Sequence, residues 1–217
     1  MVWPRELPTL NLVADRVDVI GDVHGCYEHL MGLLSKLGYE PNGFHPDGRQ
    51  LILVGDLFDR GPDNAKVYRW VRSSHALMVT GNHEWELADA IRNGGVDPDL
   101  YLPDLKKTMA QLTGAGIGLQ DVLQWIEKLP ERVVVNEELV ILHGSYLRLG
   151  DEHAEKETVV GHIIGHDCLP MKHGNVYYVD TGCFASGKLT ALRWPEREFV
   201  TFQGDRNANG NENPGYP

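Results

Sequence analysis

The chain is poor in cysteine, short of positive charge and without a long apolar run. Three cysteines occur in 217 residues, Cys26, Cys168 and Cys183, and none forms a CxxC pair. An odd, scattered set excludes a disulfide framework and makes a reducing cytoplasm the expected home. No stretch approaches the ~18 apolar residues of a transmembrane helix. The opening "MVWPRELPTLNLVADRVDVIGD" lacks a basic region followed by an apolar one, so neither a membrane span nor a signal peptide is expected. Twenty Lys and Arg face 31 Asp and Glu, a net charge of −11. That balance argues against a stable nucleic-acid partner, which needs clustered cations on phosphates. It leaves a small phosphorylated substrate open, because bound cations invert a local field.

What is present is 42% apolar residues, enough to bury one substantial core. Strand and helix signals alternate in the first half. "VDVI" at 17–20 is a buried-strand run. "CYEHLMGLLSKLGY" follows with Leu30, Leu33, Leu34 and Leu37 at helical spacing and Gly38 as its C-cap. "QLILVGD" (50–56), a helix over 65–74 and "ALMVTGN" (76–82) continue a β-α-β-α-β order. The middle is helical: "HEWELADAIR", a helix opened by Pro103, and "LQDVLQWIEKL", ended before Pro130. "ERVVVN", "ELVILHG", "TVVGH", "NVYYVDTG", "KLTALRW" and "EFVTF" are then short β-branched runs, read as a second, mostly antiparallel sheet. The expected domain covers 1–202, with a disordered tail over 203–217.

The first three strands end in one grammar: an apolar run, a glycine, then a metal-competent side chain. "GDVHG" offers Asp22 and His24, "GDLFDRG" offers Asp56, Asp59 and Arg60, and "GNHE" offers Asn82, His83 and Glu84. Two later runs end likewise, at His143 and His162. Any one of these is also ordinary turn chemistry. Three in register at successive strand ends are not, because open α/β sheets build sites there. Together they gather two carboxylates, an amide oxygen and three imidazoles, enough for two divalent cations sharing a carboxylate. His29, His45, His75, His153 and His173 read as surface or packing residues, and Cys26 as a small residue at a helix start.

"GDVHG", "GDLFDRG" and "GNHE" together resemble the signature set of the phosphoprotein phosphatase family of calcineurin-like dinuclear metallophosphoesterases. The stretch "PMKHGNVYYVDTGCFASGKLTALRW" is similar to small bacterial and bacteriophage members. The resemblance implies an α/β fold, an αββα sandwich of two mixed sheets flanked by helices. It implies that Asp22, His24 and Asp56 hold one metal, and that Asp56, Asn82, His143 and a last histidine hold the second. His162 is preferred to His166 for that last place, because "TVVGH" gives it the better strand context. The resemblance makes Arg60 the phosphoryl-binding residue, His83 the general acid and Asp59 its orienter, with a metal-bridging hydroxide as nucleophile. The implied cofactors are two divalent ions, Mn²⁺ foremost, with Fe or Zn²⁺ as alternatives.

The expected activity is a serine/threonine, or tyrosine, protein phosphatase acting on a phosphorylated protein or a small phosphate ester. The alternatives are a symmetrical bis(5'-nucleosyl)-tetraphosphatase, a nucleotide or nucleic-acid end phosphatase, and a non-catalytic phosphate-binding module. An intact "DRG" and "GNHE" argue against the last, since a binder needs no general acid. Related phosphatases place a longer segment, with a second phosphate-binding arginine, between the two late histidines. Here only "GSYLRLGDEHAEKETVVG" intervenes, and Arg148 is its sole arginine, readable as substrate-binding or as a surface residue. The short link is expected to leave one wall of the site low and to favour phosphopeptides over extended dinucleotides.

Overall fold

A computed structural model describes residues 8–94, 103–146 and 155–205. Two mixed β-sheets pack face to face, flanked by helices. The first has the order β11 (Glu198–Gln203), β10 (Lys188–Trp194), β2 (Val17–Ile20), β3 (Gln50–Leu53), β4 (Leu77–Met78). The second has the order β1 (Thr9–Leu12), β5 (Arg132–Val135), β6 (Leu139–Leu142), β7 (Glu157–Val160), β9 (Val176–Tyr178), β8 (Met171–His173). The helices are α1 (Tyr27–Leu37), α2 (Asn64–Ser73), α3 (Asn82–Arg92), α4 (Pro103–Gly114), α5 (Leu119–Ile126) and the short α6 (Cys183–Ser186). Among the described residues, no helix is long and apolar enough to cross a membrane.

Side-chain alternation sets the layers. Val17, Val19, Ile52, Val54 and Val79 of the first sheet meet Val133, Val135, Leu139, Ile141, Val159 and Tyr177 of the second. The opposite face, with Ile20, Leu51 and Leu53, is covered by Leu30, Leu33 and Leu34 of α1 and by Val67 of α2. Both faces of β2 and β3 are therefore buried, which is why their sequence runs are almost continuously apolar. Asp18 is the exception in β2. It is fully buried and accepts hydrogen bonds from Arg49 Nε at 2.9 Å and Arg49 Nη2 at 2.8 Å.

Several expectations need correction. The later runs do not form one mostly antiparallel sheet. β10 and β11 join the first sheet, and in the second sheet β1–β5, β6–β7 and β7–β9 are parallel pairs while β5–β6 and β8–β9 are antiparallel. β6, β7 and β9 thus end at the same edge, which is what places their last residues together. β3 stops at Leu53, because Gly55 and Asp56 have left-handed backbone. β4 is only two residues long, and Asn82 already belongs to α3. β1 and β8 were not expected. β11 takes in Gln203, and Gly204 N–H still donates to Gly187 O at 2.9 Å, so order runs past the expected edge at 202. The rest of the expected tail, 206–217, lies outside the described residues.

Candidate active site

The parallel strands β2, β3, β6, β7 and β9 all aim their carboxyl ends at one cleft. Its centre is Asp56, buried, two residues past the Val54 carbonyl. One oxygen, Oδ1, accepts the His83 backbone N–H at 3.0 Å. The other, Oδ2, faces three imidazole Nε2 atoms: His143 at 3.4 Å, His24 at 3.7 Å and His83 at 3.9 Å. Burial alone would raise this carboxyl, but His143, His83 and His24 hold it well below the usual carboxylate range. The rings are aimed by backbone carbonyls. His24 Nδ1–H donates to Phe58 O at 2.7 Å and His143 Nδ1–H to Val54 O at 2.9 Å, which leaves both Nε2 atoms facing inward. Asn82 Oδ1 lies 3.0 Å from His143 Nε2.

His162 and His166, the two candidates for the last place, separate clearly. The His162 ring sits 5.0 Å from that of His143, and His162, His143 and Asp56 bring ligand atoms within 4.8 Å of one another. The His166 side chain is 93% exposed and pairs with Asp167 Oδ2 at 2.8 Å. Asp22 lies behind His162, whose backbone N–H donates to it at 3.0 Å. It also shares a hydrogen bond with Asp180, and burial first, then Asp180 and Asp56, push its carboxyl well up. Two buried carboxyls in contact are a site that a cation would relieve. The donors here are all nitrogen and oxygen, as hard-to-borderline divalent ions prefer. The residues present therefore fit a dinuclear centre.

A second cluster adjoins the first. His83 Nδ1–H donates to Asp59 Oδ2 at 2.7 Å, and Thr108 of α4 donates its hydroxyl to Asp59 Oδ1. Burial opposes charge on His83, yet Asp59 and Asp56 raise its pKa to about 9. The 3.3 Å approach of Arg60 Nη2 to His83 Nε2 is a hydrogen bond only to a neutral ring. With carboxylates on two sides the protonated ring is favoured, and Arg60 is then available to an anion in the cleft. Its guanidinium lies 4.4 Å from the Phe184 ring centroid, a cation–π seat. The cleft, about 570 Å³, is lined by Asp22, His24, Asp56, Arg60, His162 and Phe184 among others.

The structure brings together the expected site residues it describes, except His166. Arg148 lies outside the described residues, as do His153 and the rest of 147–154 in the expected low wall. Two residues escape the sequence reading, and a third has another role than the one expected. Asp180 follows "YYV" in the same apolar-run grammar as Asp22 and Asp56 and was legible in principle. Thr108 carries no local signal, being one polar residue in a helix. Glu84 was grouped with metal-competent side chains, but it is fully buried and clamps backbone instead. It accepts N–H bonds from Asp56, Leu57 and Gly81, all at 2.8 Å.

Two packed mixed sheets with a histidine-and-carboxylate centre at their shared strand ends define a metal-dependent hydrolase of phosphate esters. The family can be given more closely. The chain belongs to the calcineurin-like phosphoesterase family, whose pattern matches residues 15–197. It is 34% identical to the asymmetrical bis(5'-nucleosyl)-tetraphosphatase PrpE of Halalkalibacterium halodurans, over 85% of this chain and 92% of that one. It is 31% identical to the PrpE of Oceanobacillus iheyensis, over 86% and 91%. Among solved structures it resembles one provisionally assigned as a diadenosine tetraphosphatase, with TM-score 0.67, 18% identity and coverage of 91% and 98%. A Saccharomyces cerevisiae protein serine/threonine phosphatase matches with TM-score 0.61, 14% identity and coverage of 93% and 85%.

Proposed function

We propose that the protein hydrolyses phosphomonoesters of poor leaving groups, phosphoserine and phosphothreonine side chains foremost. The observation that carries this is the Asp59–His83 pair beside Arg60. An alkoxide leaves badly unless it is protonated, and His83, with Asp59 holding its Nδ1–H, is placed to give a proton from Nε2. Asp59 keeps Nδ1–H in place and balances the ring's charge, and Thr108 fixes Asp59. Arg60, seated on Phe184, grips the phosphoryl oxygens as a planar fork. Two divalent ions, held by Asp22, His24 and Asp56 and by Asp56, Asn82, His143 and His162, would supply an activated water and positive charge; Mn²⁺ suits such donors.

A second reading is favoured by the relatives named above: cleavage of a dinucleoside tetraphosphate. Its leaving group, a nucleotide phosphate, is stable as an anion and needs a general acid less. The test compares kcat/KM for a phosphoserine peptide, an activated aryl phosphate and diadenosine tetraphosphate at saturating Mn²⁺. The first reading expects the peptide to exceed the dinucleotide. It also expects His83→Asn to cost ~10²–10⁴-fold on the peptide and much less on the aryl ester. A clear preference for the dinucleotide promotes the second reading. Equal losses on both monoesters remove His83 as the acid.

A further inference from the structure

Behind the first-metal loop lies a group of side chains that the hydrolytic reaction does not use. Cys26 caps α1, His29 follows one turn later, and Cys183 opens α6. All three are buried, at 1%, 2% and 1% exposure. One ligand atom from each lies within 4.8 Å of the others. The two thiols hydrogen-bond to each other, and Cys26 Sγ also reaches His24 O at 3.6 Å. His29 is the anomaly. Both its ring nitrogens are buried without a hydrogen-bond partner among the described residues. A buried polar atom left without a partner is destabilising. An apolar residue would fill this place at no such cost. A Cys26–Cys183 disulfide would leave the ring just as unsatisfied.

We propose that Cys26, His29 and Cys183 form a third metal site, separate from the dinuclear centre, for one thiophilic divalent cation of the Zn²⁺ type. Two thiolates and one imidazole are an established zinc donor set, with Zn–S of about 2.3 Å and Zn–N of about 2.0 Å. Ligand atoms already this close need only a small contraction. Each thiol gives its proton to solvent as its metal–sulfur bond forms, and nothing is oxidised or reduced. The nearby chain leaves room for the ring: a Cβ on Gly204 would overlap His29 Nε2. The ion would tie α6 to α1. That tie bears on the reaction through Phe184, next to Cys183, whose ring supports Arg60 and lies 5.5 Å from that of His24.

Cobalt(II) separates this site from the other centre, because only thiolate ligands give an intense near-ultraviolet charge-transfer band. The reduced full-length protein is titrated with Co²⁺. The expected result is a thiolate band that saturates at one Co²⁺ per chain and is bleached by Zn²⁺. It should persist in Asp56→Asn and Cys168→Ser and vanish in Cys183→Ser. No band in the fully reduced wild-type protein would overturn the proposal, and that measurement needs no variant to fold. A band that survives Cys183→Ser but is lost in Cys168→Ser would overturn it too. So would recovery of a Cys26–Cys183 disulfide from protein kept in reductant.

Discussion

Glu84→Gln tests whether Glu84 is a backbone clamp or a catalytic group. The wild-type carboxylate serves three buried N–H donors. Oε2 accepts from Asp56 and Gly81, and Oε1 accepts from Leu57. Glutamine has one acceptor oxygen and an NH₂ group that can only donate. With its oxygen in the Oε2 position, the Asp56 and Gly81 bonds survive without charge assistance. The Leu57 N–H then faces another donor. The orphaned N–H costs about 1–3 kcal/mol and the weakened pair roughly 1–2 kcal/mol more. Relief opposes this. Burial first, and then the charge of Asp56, raise the Glu84 pKa to about 7, a repulsion that a neutral amide escapes. The net expectation is a loss of about 2 kcal/mol, or roughly 4–8 °C in Tm for a chain of this size. Calorimetry of the metal-free protein at pH 7.5 reads it. The pH dependence gives a second check. A carboxyl whose folded pKa lies above its unfolded value adds stability at low pH that is lost as pH rises through the folded value. The metal-free wild type should therefore lose stability between about pH 4.5 and 7 from this group, and Glu84→Gln should flatten that limb. A variant with unchanged Tm but turnover reduced a hundredfold would refute the clamp and make Glu84 a reacting group.

Other outcomes follow from single contacts. His162→Ala should lose one of two bound metals per chain while His166→Ala keeps both, as read by elemental analysis; the reverse would move the ligand to the exposed residue. Thr108→Val removes the hydroxyl from Asp59 and should lower kcat on a phosphoserine peptide about 3–10-fold with KM little changed, in the range of one lost hydrogen bond. A larger change in KM than in kcat would place Thr108 in binding instead. Asp18→Asn removes one of the two carboxylates that hold the buried Arg49 and leaves it paired with Glu196, so it should cost about 1.5–3 kcal/mol in urea unfolding, the range of a hydrogen bond to a charged group. Replacing both partners, Asp18→Asn with Arg49→Met, should cost less than Asp18→Asn alone; equal costs would mean the pair is not coupled.

The parts of the fold that could be read in the sequence are those where a local pattern and a buried surface coincide. β2 and β3 are apolar on both faces because both are covered, and α1 carries its leucines on the one side that meets the sheet. Strand direction has no such imprint. "VILHG" and "TVVGH" look the same whether their strands run parallel or antiparallel, so the composition of the second half suggested hairpins. The chain instead crosses over between β6 and β7 and again between β7 and β9. β1 was missed because it is a mostly exposed edge strand whose Thr-Leu-Asn-Leu alternation is only four residues long. Thr108 was missed because its partner, Asp59, lies 49 residues away and no spacing rule joins them.

Of the glycines around Asp22 and His24, Gly25 has left-handed backbone and Gly21 makes room for the Val179 carbonyl; the site residues themselves carry more of the strain. His24, Asp56, Asp59, Arg60 and His162 all have φ between 45° and 70°, the left-handed region that favours glycine. Such conformations cost of order 1–3 kcal/mol each and persist only where the surroundings over-determine them. Glycine at these positions would be relaxed but would carry no ligand. The chain keeps the side chain and supplies the constraint around it. His24 N–H donates to Asp56 O at 3.0 Å, Gly25 N–H to Leu57 O at 2.8 Å and Gly61 N–H to His24 O at 2.9 Å, so the first two site loops hold each other. Space is given by neighbouring glycines: a Cβ on Gly161 would overlap Asp22 Oδ1, and one on Gly81 would overlap Asp56 Oδ1. Gly81→Ala should therefore displace the Asp56 carboxylate from the cleft and cost bound metal, as read by elemental analysis, while the circular dichroism of the two sheets is kept; two metals retained per chain would refute it.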